Sequence, residues 1–206
     1  MNQPTTLLSG IFVASIVALT MLSGCTDTSG LSAESSRGPH PDSNPSATVT
    51  VVEFADLQCP ACRAAHFQIV KPLNEQIGDM IRYEFKHFPL QTIHPNALMA
   101  AQASECAADQ GKFWDFVDLN YENQPDLSRQ AVEDWAKQLG LDISLFNRCI
   151  ESDIKRDTVL ADFKEGRELN VPGTPTFFVN GKKVESDAQA LAVAIKEALS
   201  GSLMPL

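Results

Sequence analysis

The chain is short of positive charge. Lys and Arg number 16 against 26 Asp and Glu, a formal net charge of -10 over 206 residues. An electrostatic grip on nucleic acid needs Lys and Arg to neutralise phosphate, so nucleic-acid binding is excluded as an expectation. Metal-ligand patterns are equally scarce. A single C-x-x-C stands at Cys59–Cys62, with no second C-x-x-C or H-x-x-x-H nearby in sequence. A structural zinc site needs four ligands. Cys59, Cys62 and His66 could offer three, so a zinc half-site stays open as an alternative, as does a plain structural disulfide. No metal and no cofactor is expected. A long apolar run is missing too. Ile11 to Leu22 is about a dozen mostly apolar residues, whereas a spanning helix needs roughly 20. Residues 1–10 carry no Lys or Arg, so the only positive charge there is the terminal amine.

What is present at the N-terminus suits export. The apolar run ends in Leu22-Ser23-Gly24-Cys25, small residues of the kind found before a signal cleavage point. This tetrad resembles the lipobox of bacterial lipoproteins, which implies a signal peptide over 1–24 and lipid attachment at Cys25. An uncleaved N-terminal anchor is the alternative. Either arrangement puts the domain outside the cytoplasm, in the periplasm or cell envelope, where disulfides persist. Thr26 to Ala47 is rich in Ser, Pro, Gly and Asp. Residues 25–47 therefore read as a flexible linker of roughly 25 Å root-mean-square reach. It holds no separate dimerisation domain, and a monomer is expected.

The folded part is expected over 48–206. Thr48 to Phe54 is a β-branched buried strand, and Ile81 to Phe88 a second. The helix between them starts near Cys59 with Pro60 in its first position. Pro72 should kink or break it, and Gly78 should stop it. From about His94 to residue 165 the period turns helical, with Met99, Ala103 and Cys106 on one face. Ser128, Asp142 and Asp187 are candidate helix caps. Thr176 to Val179 and Lys182 to Val184 flank an Asn180-Gly181 hairpin turn. The class is α/β: a central mixed sheet interrupted by an all-helical insertion at about 94–165.

The chemistry follows from where the C-x-x-C sits, after a strand and opening a helix. Unpaired N–H groups and the helix dipole favour a thiolate at Cys59. A C-x-x-C cysteine so placed titrates at about 3.5–7.5 rather than near 8.5. Lowering that value makes Cys59 the better leaving group and the pair more oxidising. Cys62, one turn deeper, is the expected resolving thiol. His66, a turn beyond, is expected to be a solvated surface residue. Cys106 and Cys149 lie on inward faces of two expected helices, as buried free thiols or as a disulfide.

The run from Val52 to Cys62 (Val-Glu-Phe-Ala-Asp-Leu-Gln-Cys-Pro-Ala-Cys), Phe88-Pro89-Leu90, Gly111 to Trp114 and Val171 to Phe177 resemble the DsbA-like branch of the thioredoxin superfamily. The resemblance runs from about Val49 to the end. It implies a thioredoxin-like fold with a helical insertion, and Pro175 as a cis-proline facing the dithiol. It implies that Thr174 binds substrate backbone beside Pro175, and that Glu53 is a buried acid serving the dithiol. A strand-end Glu53 facing solvent is the alternative. The resemblance also implies a second disulfide between Cys106 and Cys149. Closing a loop of about 44 residues would stabilise by roughly 4 kcal/mol. The implied activity is thiol:disulfide exchange with unfolded or folding secreted proteins, forming disulfides rather than reducing them. A membrane redox partner, oxidase or reductant, would exchange the electrons. The second position of the dipeptide is Ala61, where strongly oxidising members carry His, so a weaker oxidant is expected. A reductase of the same fold, and a non-catalytic chaperone-like binding lipoprotein with a structural C-x-x-C, are the competing readings.

Overall fold

A computed structural model describes residues 27–202. The expected signal peptide over 1–24 and the lipid-attachment residue Cys25 lie outside the described residues. The four-stranded sheet has the order β2-β1-β3-β4, from β1 (Val49–Ala55), β2 (Ile81–His87), β3 (Thr176–Val179) and β4 (Lys182–Val184). β1 pairs parallel to β2 and antiparallel to β3, so the sheet is mixed. Its central place explains the apolar run Val49, Val51, Phe54, because both faces of β1 are covered. Asn180 and Gly181 turn the hairpin with φ of 46° and 76°, the double positive pair that matches strand twist.

Of the two outcomes expected at Pro72, a kink or a break, the helix after β1 shows no break. It runs as α1 (Pro60–Ala65), a π-helical turn (His66–Val70) and α2 (Lys71–Ile77), with no break between them. Proline lacks an N–H and its ring clashes with the carbonyl four residues back. The wider turn absorbs both, since the Lys71 N–H reaches back five residues to the His66 carbonyl.

The insertion comprises α3 (Ala97–Ala108), α4 (Phe113–Glu122), α5 (Arg129–Gln138), α6 (Ile143–Glu151) and α7 (Arg156–Glu168). Ser128 caps α5 by accepting from the Ala131 N–H, and Asp142 caps α6 by accepting from the Leu145 N–H. Phe116, Val132, Trp135 and Phe146 form its core. Cys106 of α3 and Cys149 of α6 are bonded there, with Cα atoms 5.9 Å apart and both residues buried. The closing helix α8 (Ala188–Ser202) lays Leu191 and Ile195 on the sheet.

The largest departure concerns the linker. From Asp27 onward the segment expected to be a flexible tether is strapped to the domain. The His40 N–H donates to the Tyr83 carbonyl at 2.8 Å, and the Asn44 N–H to those of Gly78 and Ile81. These bonds cover the outer edge of β2, which would otherwise present unpaired groups. A Cβ on Gly78 would lie 2.0 Å from the Asp42 carbonyl oxygen, so only glycine lets the strap approach. Arg37 sits between the carboxylates of Glu105 on α3 and Asp162 on α7. Lys155 donates to the Glu34 carbonyl at 2.6 Å. Composition reads this stretch as a tether because its apolar content is low. Its anchors are backbone groups and one cation meeting buried carboxylates, which composition does not register.

Candidate functional site

The site begins where β1 ends. Asp56 is buried and accepts four ways. Its Oδ1 takes the Gln58 N–H at 2.7 Å, and its Oδ2 takes the Leu90 N–H and His94 Nδ1, each at 2.8 Å. Its carbonyl takes the Cys59 N–H at 3.0 Å. The Asp56 N–H in turn points at Cys62 Sγ, 3.5 Å away. Asn120 of α4 and Gln124 in the turn after it donate to the Leu57 carbonyl, and Gln124 also to that of Cys59. The loop that delivers the dithiol is therefore pinned from three sides before the helix starts.

Cys59 is the N-cap of α1, in extended conformation (φ -77°, ψ 121°), and Pro60 follows in the first turn. Both cysteines are free thiols. Cys59 keeps 7% of its surface exposed and Cys62 none, so only Cys59 can meet a partner directly. The Thr174–Pro175 peptide bond is cis. It brings the Thr174 carbonyl within 3.4 Å of Cys59 Sγ, close enough for the neutral thiol to donate. The cis loop is held by Thr176 Oγ1 donating to the Gly173 carbonyl and Ser186 Oγ to that of Pro175, both at 2.8 Å.

The electrostatics separate the two thiols. Cys59 is lowered to about 5, chiefly by a hydrogen bond from the Cys62 thiol. Thr174 and the backbone N–H groups of Cys62 and Ala61 add to this, against the opposing effect of partial burial. The helix N-terminus thus contributes as the sequence suggests, but the neighbouring thiol leads. Burial drives Cys62 well above the ordinary thiol range, and its hydrogen bond to Cys59 and the Glu53 carboxylate push the same way. At neutral pH the pair is one thiolate and one thiol that donates to it.

Glu53 is 2% exposed, within β1 and opposite Phe85 and Phe177 in register, so it does not face solvent. Burial raises it to about 7, although the Tyr83 hydroxyl donates to its Oε2 at 2.7 Å and holds it down. Its charge is felt at Cys62. Glu53, Cys59, Cys62, Thr174 and Pro175 are therefore brought together; Cys106 and Cys149 stand apart in the helical block.

His66 corrects an expectation. Rather than a solvated surface residue it is buried, with Nε2 2.6 Å from Asp118 Oδ1 and its ring against that of Tyr121, tilted by 39°. The π-helical turn that Pro72 imposes begins at His66. With the ring held by Asp118, the three-ligand alternative of Cys59, Cys62 and His66 loses its third member. Among the described residues no group of three or more His, Cys, Asp or Glu could hold a metal.

Sequence reasoning missed Asp56, Tyr83, Asn120 and Gln124. Asp56 had a signal: an Asp two residues before Gln58 forms an Asx-turn, which anchors a loop ahead of a helix. The others act across long sequence separations and left no local pattern.

Comparison with known proteins bears on this geometry. A family profile described as thioredoxin matches residues 41–197. The structure of a thioredoxin-like oxidoreductase from Silicibacter pomeroyi is similar, with TM-score 0.69 and 26% identity over 78% of this chain and 94% of that one. BdbD from Bacillus subtilis superposes with TM-score 0.71 and 25% identity, covering 82% of this chain and 100% of that one. In sequence, a Na(+)/H(+) antiporter NhaA 1 of Salinispora arenicola is 37% identical over 169 residues, which are 81% of this chain but 25% of the antiporter. The chain spans about a quarter of the length of the curated relatives it matches. No described helix is long and apolar enough to cross a membrane. With its profile match over most of the chain, its mixed sheet and its C-x-x-C opposite a cis-proline, the chain belongs to the thioredoxin family.

Proposed function

We propose that the chain is an extracytoplasmic thiol:disulfide oxidoreductase that forms disulfides in secreted proteins through Cys59 and Cys62. The observation that carries this reading is the Cys59 thiol, lowered to about 5 and set against the carbonyl before a cis-proline. In the oxidised enzyme a substrate thiolate attacks Cys59 Sγ. The Cys59–Cys62 bond breaks, Cys62 leaves with the electron pair, and Glu53 is the proton donor to it. A second substrate thiolate then attacks the substrate sulfur of the mixed disulfide, and Cys59 leaves as a stable thiolate. Two substrate thiols become one disulfide, and the dithiol holds the two electrons until a membrane redox partner removes them.

Thr174 would hold extended substrate through its backbone, beside the more accessible sulfur of the pair. The bonded, buried Cys106–Cys149 pair supports an oxidising compartment. Lipid attachment at Cys25 would keep the domain at the membrane surface; loss of radiolabelled lipid incorporation in Cys25→Ala tests it. Ion exchange by the antiporters belongs to those proteins and is not carried over.

The deciding experiment follows oxidative refolding of a reduced, unfolded substrate protein. Cys59→Ser should abolish the acceleration, and Cys62→Ser, which lacks the resolving thiol that attacks Cys59 Sγ of a mixed disulfide from within the protein, should trap substrates on Cys59. Undiminished activity of Cys59→Ser would defeat the enzyme reading in favour of a binding lipoprotein.

A further inference from the structure

Glu53 is buried and needs its carboxylate aimed and charged if it is to take a proton from the dithiol. One side chain is placed to do this. Tyr83 lies on the strand beside Glu53, is completely buried, and donates its hydroxyl to Glu53 Oε2 at 2.7 Å. The tyrosine is itself fixed: its carbonyl accepts from the strap at His40, and its ring packs near Trp114. We propose that Tyr83 is a positioning residue of the exchange reaction, its hydroxyl holding Glu53 as the proton acceptor for the resolving thiol Cys62. This rests on the assignment of Cys62 as resolving thiol and of Glu53 as its proton partner.

The reasoning is a balance between solvation and a single donor. A buried carboxylate without water favours its neutral form, and a hydrogen bond to the ion opposes that. The titratable groups around the pair are Cys59 and Cys62 from α1, Tyr121 from α4 and His40 from the strap. Burial lowers His40 to about 4, so it is neutral above that pH. Burial pushes Tyr83, Tyr121 and Cys62 up, so these keep their protons. Between pH 6 and 9 Glu53 is then the group of this set whose charge changes, and Tyr83 is the donor that sets where.

The step tested is closure of the dithiol. Reduced protein is mixed with an aromatic disulfide that releases a coloured thiolate. Cys59 attacks first and releases one coloured thiolate. Cys62 then attacks Cys59 Sγ, the bond from Cys59 to the aromatic sulfur breaks, the second coloured thiolate leaves, and the Cys62 proton passes to Glu53. The second phase in the wild-type protein should rise with pH about a midpoint near 7. Tyr83→Phe keeps the ring and deletes the donor. Its midpoint should move up by about one pH unit, roughly tenfold slower below the midpoint. A merely structural role would lower the rate equally at every pH, so an unmoved midpoint overturns the proposal whatever happens to the amplitude. Glu53→Gln should remove the pH dependence, and adding Tyr83→Phe to it should then shift nothing. Should Tyr83→Phe fail to fold, a ring-fluorinated tyrosine at this position is a stronger donor of nearly the same shape. It should lower the midpoint, and no movement would again overturn the proposal. Release of only the first coloured thiolate, or of both by Cys62→Ser, defeats instead the assignment of Cys62 on which the proposal rests.

Discussion

Two cysteine pairs share this chain and differ in nearly every physical respect. Cys106 and Cys149 join two helices across 43 residues of sequence, bonded, and packed among Phe116, Trp135 and Phe146. Cys59 and Cys62 are three residues apart, unbonded, and divided between a partly exposed and a fully buried thiol. The first pair has no thiolate to stabilise and no route to a partner. The second has donors on one side of Cys59, the Cys62 thiol and the N–H groups of Ala61 and Cys62, and the Thr174 carbonyl of the cis-proline loop on the other. The comparison teaches that reactivity here belongs to the hydrogen bonds around a sulfur. Burial alone does not assign it, since three of the four sulfurs are almost fully buried.

The contrast can be broken from the stable side first. Cys106→Ala with Cys149→Ala should lower stability by roughly 4 kcal/mol, from the loop of about 44 residues that it opens. Denaturant unfolding measures this, and refolding activity through Cys59 should persist in the folded fraction. The strap provides the next largest effect. Arg37→Ala leaves Glu105 and Asp162 without their shared cation in a buried setting, and should cost about 3 kcal/mol by the same unfolding measurement. A freely flexible tether would show no change.

An effect of similar size sharpens the reactive side. Glu53 is raised from 4.5 to about 7 by burial, so it penalises the fold wherever it must ionise. A raised carboxylate costs nothing below its unfolded value and most above its folded one. Glu53→Gln should therefore stabilise the reduced protein by about 3 kcal/mol at pH 9, with the gain fading as pH falls through 7 toward 4.5. Thermal unfolding across that range checks it.

The parts of the fold that were legible in sequence are those written locally. Asn180-Gly181 announces its hairpin because few residues adopt two successive positive φ values, and β3 and β4 fall where expected. Ser128, Asp142 and Asp187 cap helices because each reaches an N–H three residues on. The dithiol was legible for the same reason: its spacing and its place ahead of a helix are local. What could not be read are pairings at distance. Tyr83 meets Glu53 across 30 residues, His66 meets Asp118 across 52, and Arg37 meets Asp162 across 125. Strand alternation leaves Glu53 either inward or facing solvent, and it cannot name the partner of Glu53 or of Tyr83. Pro72, expected to kink or break its helix, leaves it unbroken behind a wider turn. The rule that proline breaks helices omits the wider turn by which a chain packed on a sheet can carry it.

The most direct measurement is titration of the reduced dithiol by ultraviolet thiolate absorbance, with Cys62→Ser beside the wild type. One thiolate should appear with a midpoint near 5, and Cys62 should stay protonated through the ordinary thiol range. In Cys62→Ser the midpoint should remain depressed, because the serine hydroxyl can still donate to Cys59. A Cys59 midpoint near 9, that of an ordinary thiol, would contradict the account.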